Sequence, residues 1–372
     1  MKSVFKNIAV FITSALCMFI FSFSAFALET NIDEYVREFD FDSVISSVDN
    51  ETLALLSEIG IDELSLDKIF AVEPSKVFTA LFNRVSTALK EPLQFLLVTT
   101  GVLILGSLLA SVMSSPESVS LVGGSVVALS AAMPVALLVT TSFSVLETLG
   151  VFTTAFTGVF CGVVSAAGGY TASITHSALT VFSNALFSGI LTEFSQPVVN
   201  AMCSLGFLSC FDVFDFSTRF SLTVKKIYVF VMSFIGTVFS GIITIKGVLS
   251  DGVDSLSAKS IRFVVGRSLP VVGGTVSETY SALVSSLSLI KNTVGVFGII
   301  TVVVTVLPTL LRLVMWIITL DTVSALSDIS GAGATVKLLG ILKDALVLLV
   351  ATITIVSTVF IVSVGVVIAI KG

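Results

Sequence analysis

Charge is what this sequence has least of. Only 12% of its 372 residues are charged, against 55% hydrophobic, and the mean hydropathy is +1.09. Soluble domains carry about 25% charged residues. So little polar surface excludes an ordinary soluble domain and implies an all-α polytopic integral membrane protein. Histidine occurs once and cysteine four times, with no C-x-x-C pair, so no metal site is expected. No cofactor is expected either. The apolar runs are continuous rather than alternating, which excludes a transmembrane β-barrel. No basic patch with interleaved aromatics exists, so no nucleic-acid partner is expected.

The few charges that are present are unevenly placed. Residues 28–92 hold fourteen acids and five bases, while 93–372 hold twelve bases and eleven acids. The net charge of −6 and the pI of 4.9 therefore come from one N-terminal segment. Ahead of it, Lys2 and Lys6 precede "IAVFITSALCMFIFSF" and the A-x-A site "AFA" at 25–27. This pattern reads as a signal peptide, 1–27, cleaved before Leu28, with an uncleaved anchor as the rival. Residues 28–92 read as a short acidic extracytoplasmic helical region. In "NIDEYVREFDFDSVISSV" apolar residues keep helical spacing. Asn50 is expected to cap "ETLALLSEI", Gly60 to end it, and Pro92 to stop a third helix opened near Pro74. So thin a core suits a membrane surface or a partner better than independent folding.

The transmembrane domain is expected over 93–372. Apolar runs occur at 93–113, 121–143 (with Pro134), 148–169, 171–192, 197–211, 227–245, 294–320 and 345–370. They amount to about seven to nine transmembrane helices, since roughly 20 residues cross the hydrocarbon. The loop 212–226, with Arg219, Lys225 and Lys226, falls inside by this count, as the positive-inside rule requires. Residues 250–268, with Lys259, Arg262 and Arg267, fall outside, which conflicts with the rule. Either one early run does not cross, or 253–290 is a surface or re-entrant element.

The apolar pattern is interrupted most at 266–292. Pro270 removes a backbone donor, and Gly273 and Gly274 permit irregular backbone. In a membrane such backbone survives only inside protein or beside water. Glu278 and Lys291 each cost at least about 2.5 kcal/mol at the centre of a lipid-facing helix. One reading is a broken helix lining a polar pathway, with Lys291 and Asn292 turned from lipid and Lys291 meeting Glu278, Asp321 or a helix C-terminus. The other is a surface amphipathic helix ending in an interfacial Lys291. Arg312, inside a later apolar run, either snorkels or pairs within the bundle, with Glu278 or Asp321 as candidates.

The segment "RSLPVVGGTVSETYSALVSSLSLIKNTVGVFGII" resembles the signature region of the stage III sporulation protein AE family. Pro270, Val271, Gly273, Glu278, Lys291, Asn292 and Gly295 carry the resemblance. The order of parts agrees along nearly the whole chain, and 321–344 agrees in layout. The resemblance implies a multi-pass protein of the mother-cell membrane around the forespore. It also implies a non-enzymatic subunit of a channel-like, feeding-tube-like trans-envelope complex. The implied partners are a cytoplasmic ATPase, small membrane proteins, ring-forming proteins of the intermembrane space and a forespore partner, beside the lipid bilayer itself.

Other motifs carry less. "GAGATVKLL", 331–339, lacks the spacing of a phosphate loop. His176, with Asn184 eight residues on, suits an interhelical hydrogen bond better than a proton relay. No serine has a base placed beside it in sequence, so no catalytic residue is expected. The alternative function is a stand-alone secondary transporter or permease with a broken-helix site near 266–295.

Overall fold

The computed structural model describes residues 41–61, 79, 83–84, 86, 88–112, 116–209, 216–268 and 273–369. The expected signal peptide, 1–27, much of the acidic segment and Pro270 lie outside the described residues. Among those described there is no strand. Two short helices, α1 (Phe41–Ser46) and α2 (Asn50–Glu58), precede the long ones. These are α3 (Lys90–Val112), α4 (Pro116–Ala166), α5 (Tyr170–Gly189), α6 (Gln196–Leu208), α7 (Phe216–Ser268), α8 (Gly273–Ile329) and α9 (Gly333–Ala369). A π-helical turn, Ile190–Ser195, joins α5 to α6 without a loop.

The bundle is built around α9. This helix is apolar over most of its surface, the pattern of a core helix or a membrane span, and here it is both. Its most apolar window is 67% buried, against 22% for α3 and 28% for α7. Leu338, Leu342, Leu346, Leu349, Ile353 and Val364 have no exposed surface. Helices α4 to α8 all pack on it. Lipid is as apolar as these side chains, so close van der Waals fit holds the helices together rather than exclusion of water. Gly295 and Gly298 show how close the fit is. A Cβ on Gly295 would come within 2.6 Å of both Ile368 side-chain carbons nearest to it, and one on Gly298 would overlap the Phe156 ring. Phe156 stacks between Phe152 and Phe160, with ring centroids 5.6 and 5.2 Å away. Phe360 of α9 meets the Phe156 ring edge-on at 5.7 Å.

Several sequence expectations change here. The runs 121–143 and 148–169 form one helix, α4, with Pro134 inside it. The runs 171–192 and 197–211 are continuous through the π turn, and α6 has only 13 residues. Five helices among the described residues are long and apolar enough to cross a membrane: Lys90–Leu109, Val122–Ala166, Ser217–Lys246, Leu287–Ile329 and Gly333–Ala369. Asp49, not Asn50, occupies the cap position of α2. Gly60 does end that helix, at φ +94°, with Ile61 N–H bonding the Leu56 carbonyl at 2.8 Å. Pro92 sits in the first turn of α3 rather than stopping a helix, a place where its missing N–H is harmless.

The interrupted stretch is the junction of two long helices. α7 ends at Ser268 and α8 opens at Gly273; residues 269–272 lie outside the described set. From Gly273 onward α8 is unbroken through Glu278, Lys291, Asn292, Gly295 and Arg312. At about 1.5 Å per residue, its 57 residues extend about 85 Å, far beyond the roughly 30 Å of hydrocarbon. Residues 247–268 and 273–286 accordingly lie past the ends of the candidate spans.

Gly124, early in α4, lies against Thr335, early in α9, so these two helices run parallel. The α4–α5 turn and the α8–α9 turn therefore lie at opposite ends of the bundle. In an otherwise cysteine-free chain, cysteines at Tyr170 and Ser330, both exposed, should react with an impermeant thiol reagent from opposite sides of the membrane. Labelling of both from one side would contradict this arrangement.

Candidate functional site

Polar side chains inside an apolar bundle are where function is sought first. At one end of α9, the adjacent residues Lys343 and Asp344 reach in different directions. Asp344 is 5% exposed, forms an ion pair with Lys225 of α7 and accepts a bond from Ser221 Oγ at 3.3 Å. Lys343 pairs with Asp321 of α8 at 2.6 Å. One dipeptide thus ties α7, α9 and α8 together. Further along, the Tyr228 hydroxyl bridges Ser195 of the π turn and Thr352 of α9.

At the other end, Asp254 of α7 caps α5. Its two carboxylate oxygens accept the Thr171 and Ala172 N–H groups, each at 3.0 Å, and it is 3% exposed. A carboxylate there satisfies orphan donors and meets the positive end of the helix dipole. His176 Nδ1 and Ser363 Oγ lie 2.9 Å apart, an interhelical hydrogen bond between α5 and α9. Asn184 instead faces α4, donating to Thr153 and Thr154, each at 2.9 Å.

The Asp321–Lys343 and Gly295–Ile368 contacts set the antiparallel register of α8 and α9. One turn before Gly295, Lys291 is therefore level with the C-terminal end of α9. It is 4% exposed. Asn292 Oδ1 is buried without a hydrogen-bond partner. The expected meeting of Lys291 with Asp321 or Glu278 is overturned by helix length. They lie 30 and 13 residues away on the same unbroken helix, about 45 and 20 Å along its axis. The same geometry separates Arg312 from Glu278, and Asp321 is paired with Lys343 instead. Gly295 belongs to the packing against Ile368, inside a continuous helix. Gly273 and Gly274 are the first two residues of α8.

Arg312 lines a 140 Å³ cavity between α4 and α8, covered by α2. Its companions are Asp49, Glu51, Thr52 and the hydroxyls of Thr141, Ser144, Thr148, Thr305 and Thr309. Pro308 lacks the N–H that would bond the Val304 carbonyl, and both residues line this cavity. Thr52 Oγ1 donates to Thr305 Oγ1 at 3.3 Å. Leu55, Leu56 and Ile59 are buried, so this part of the acidic region packs on the chain's own bundle. A larger groove of about 690 Å³ lies between α4, α5 and α9 on the other side of α4.

The sequence pattern singles out Lys291, Asn292 and Arg312, but not Asp254, Lys343 or Asp344, and it places Lys225 in a loop where the structure has it inside α7. The one local signal was a Lys-Asp pair heading the last apolar run. No local signal marks Asp254, whose partners lie more than 80 residues away.

The described helices define an all-α, multi-pass membrane protein. The chain belongs to the stage III sporulation protein AE family, whose sequence pattern it matches over residues 55–371. It is 23% identical over 207 residues to the Stage III sporulation protein AE of Bacillus subtilis (strain 168). The match covers 55% of this chain and 51% of that relative, so it spans about half the relative's length. No solved structure matches the chain.

The charge clamp at α9 yields a direct test. Breaking a buried ion pair from one side leaves an uncompensated charge, at a penalty of about 3 kcal/mol. Asp344→Asn should lower the unfolding temperature in detergent by several degrees. The double variant Lys225→Met with Asp344→Leu should recover most of the loss. An unchanged unfolding temperature in Asp344→Asn would show that the pair bears no load.

Proposed function

We propose that this chain is a non-enzymatic membrane subunit of the trans-envelope complex that joins mother cell and forespore. It would reside in the mother-cell membrane. The observation that carries this reading is the family match, which covers most of the chain. The packing supports a particular form of it. α9 fills the axis of the bundle with side chains, so one chain encloses no lumen along that axis. A conduit would then form between chains, with this protein as part of its wall. Its partners would be a cytoplasmic ATPase, small membrane proteins, ring-forming intermembrane-space proteins and a forespore protein. A signal peptide cut after Ala27 would put residues 28–92 outside the mother-cell membrane.

The polar pathway, in this reading, runs past Lys291 and Asn292 at the end of α9. A buried lysine level with a helix C-terminus meets the negative end of the dipole, and an orphan amide oxygen invites water. The alternative, a stand-alone transporter with a broken-helix site near 266–295, has α7 ending at Ser268 and α8 opening at Gly273, with α8 unbroken from there through Gly295.

In a spore-forming host, loss of this protein should abolish heat-resistant spores while leaving vegetative growth intact. The tagged protein should co-purify with the complex from sporulating cells. Normal sporulation in its absence would contradict the proposal. Lys291→Leu should keep normal abundance yet fail to support sporulation, whereas wild-type spore counts would reduce Lys291 to an interfacial anchor.

A further inference from the structure

The seam between α4 and α8 carries polar groups at helical spacing inside an otherwise apolar packing. Thr141, Ser144 and Thr148 lie three and four residues apart on α4, and Thr305, Thr309 and Arg312 four and three apart on α8. The two helices are antiparallel, and the contact of Phe156 with Gly298 sets their register. That register brings Thr148 level with Thr305, Ser144 with Thr309 and Thr141 with Arg312, each within a residue. All six line the 140 Å³ cavity that α2 covers.

Four groups in this cavity have chemistry that the chain's own packing does not use. Arg312, the one charge on α8 between Lys291 and Asp321, forms no ion pair or hydrogen bond among the described residues. Asp49 holds the cap position of α2, yet its carboxylate makes no capping bond, against the habit of an aspartate there. Thr309 is 6% exposed, and its hydroxyl has no partner among the described residues. Unlike the sealed, orphaned oxygens of the core, such as Thr180 Oγ1, it opens on the cavity. Pro308 leaves the Val304 carbonyl without its helical donor, and both residues line the same space.

A guanidinium and a carboxylate that face one cavity without pairing suit a molecule that carries both complementary charges. The Arg312 fork matches a carboxylate or phosphate. Asp49, the Val304 carbonyl and Thr309 Oγ1 are three acceptors, and a primary ammonium has three donors. A simple anion would be repelled by Asp49, and a simple cation by Arg312. Glu51, the other acid of the cavity, pairs with Arg84 at 3.4 Å. The 140 Å³ is well below the roughly 300–1,000 Å³ of a pocket for a drug-sized ligand. At about 10–15 Å³ for each water-sized site, it admits on the order of ten non-hydrogen atoms, which excludes a nucleotide.

We propose that the cavity beneath α2 binds a small zwitterion, a primary ammonium joined by a short chain to a carboxylate or phosphate. Its oxyanion lies on Arg312 and its ammonium on Asp49, Val304 and Thr309. Free amino acids and the headgroup of an ethanolamine phospholipid share this chemistry. The inference goes beyond the subunit reading and does not depend on it, since the purified chain is enough to test it.

The test is equilibrium dialysis of the full-length chain, in nanodiscs of phosphatidylglycerol, against labelled glycine and labelled phosphoethanolamine. We expect saturable binding of at least one of them. The other half-molecules, acetate, phosphate and methylammonium, should not displace it at the same concentration. Arg312→Gln and Asp49→Asn should each weaken binding at least about tenfold, as loss of a charge-assisted contact does. Thr309→Val keeps the shape and should weaken it several-fold. Arg219→Gln removes an exposed cation at the start of α7 and should bind as wild type. Nanodiscs of phosphatidylethanolamine should abolish the binding if a lipid headgroup is the occupant, and leave it intact if a free zwitterion is. Displacement by any half-molecule alone, unchanged binding in both charge variants, or no saturable binding of either probe would each overturn the proposal. The displacement arm uses only the wild-type chain, so it decides even where a variant fails to fold.

Discussion

α9 is the helix on which α4 to α8 all pack, and close fit to it organises the whole protein. Apart from Lys343, Asp344 and scattered Thr and Ser hydroxyls, its residues from Leu338 to Val367 are apolar. Lipid could cover such a surface as well as protein could, so it is close van der Waals fit that gathers α4 to α8 round it. Close approach then depends on small residues at the contacts. Gly295 and Gly298 admit Ile368 and Phe156, and Gly236 admits Ile355, whose Cγ2 would lie 2.7 Å from an added Cβ. Polar groups inside this packing have to find partners across it. Asp344 finds Lys225, Tyr228 finds Thr352, and His176 finds Ser363.

The same constraint shapes the functional reading. Apart from paired groups such as Tyr228 and Thr352, an axis filled with side chains leaves the polar features among the described residues at the margins of the bundle. These are the ends of α9, the cavity beneath α2, and the groove beside α4. Each lies where this chain meets water, lipid or another protein. That placement supports the proposal that this chain works as one subunit of an assembly.

Much of this was legible in the sequence, and the limits have physical causes. Apolar runs revealed the fold class because hydropathy is a local property. Gly60 was legible as a helix end because its positive φ is a local demand. The boundaries between runs were not. The Glu147 neighbourhood looks like a break and Pro134 like a kink within a run, yet α4 passes through both, because a surrounding bundle tolerates one missing backbone bond and one exposed charge. Arg312 stood out as a lone charge in an apolar run, and it does line a polar cavity. Its companions could not be read, because Asp49 and Glu51 come from a region separated from it by some 260 positions. Lys291 could be flagged by its charge, but its position at the end of α9 depends on a register that only packing reveals. Asp254 looked like one more charge in a polar segment, and only the fold brings it to the start of α5.

The claim on which the account depends most is that α9 is enclosed by protein along its length. Single cysteines placed in turn from Leu346 to Val364, in a chain otherwise free of cysteine, can be probed in native membranes with a small water-soluble thiol reagent. The account predicts that positions such as Thr352 and Ser357, each 1% exposed, stay unmodified until the protein is unfolded. Rapid modification recurring every three to four residues would reveal a water-filled face on α9 and contradict it.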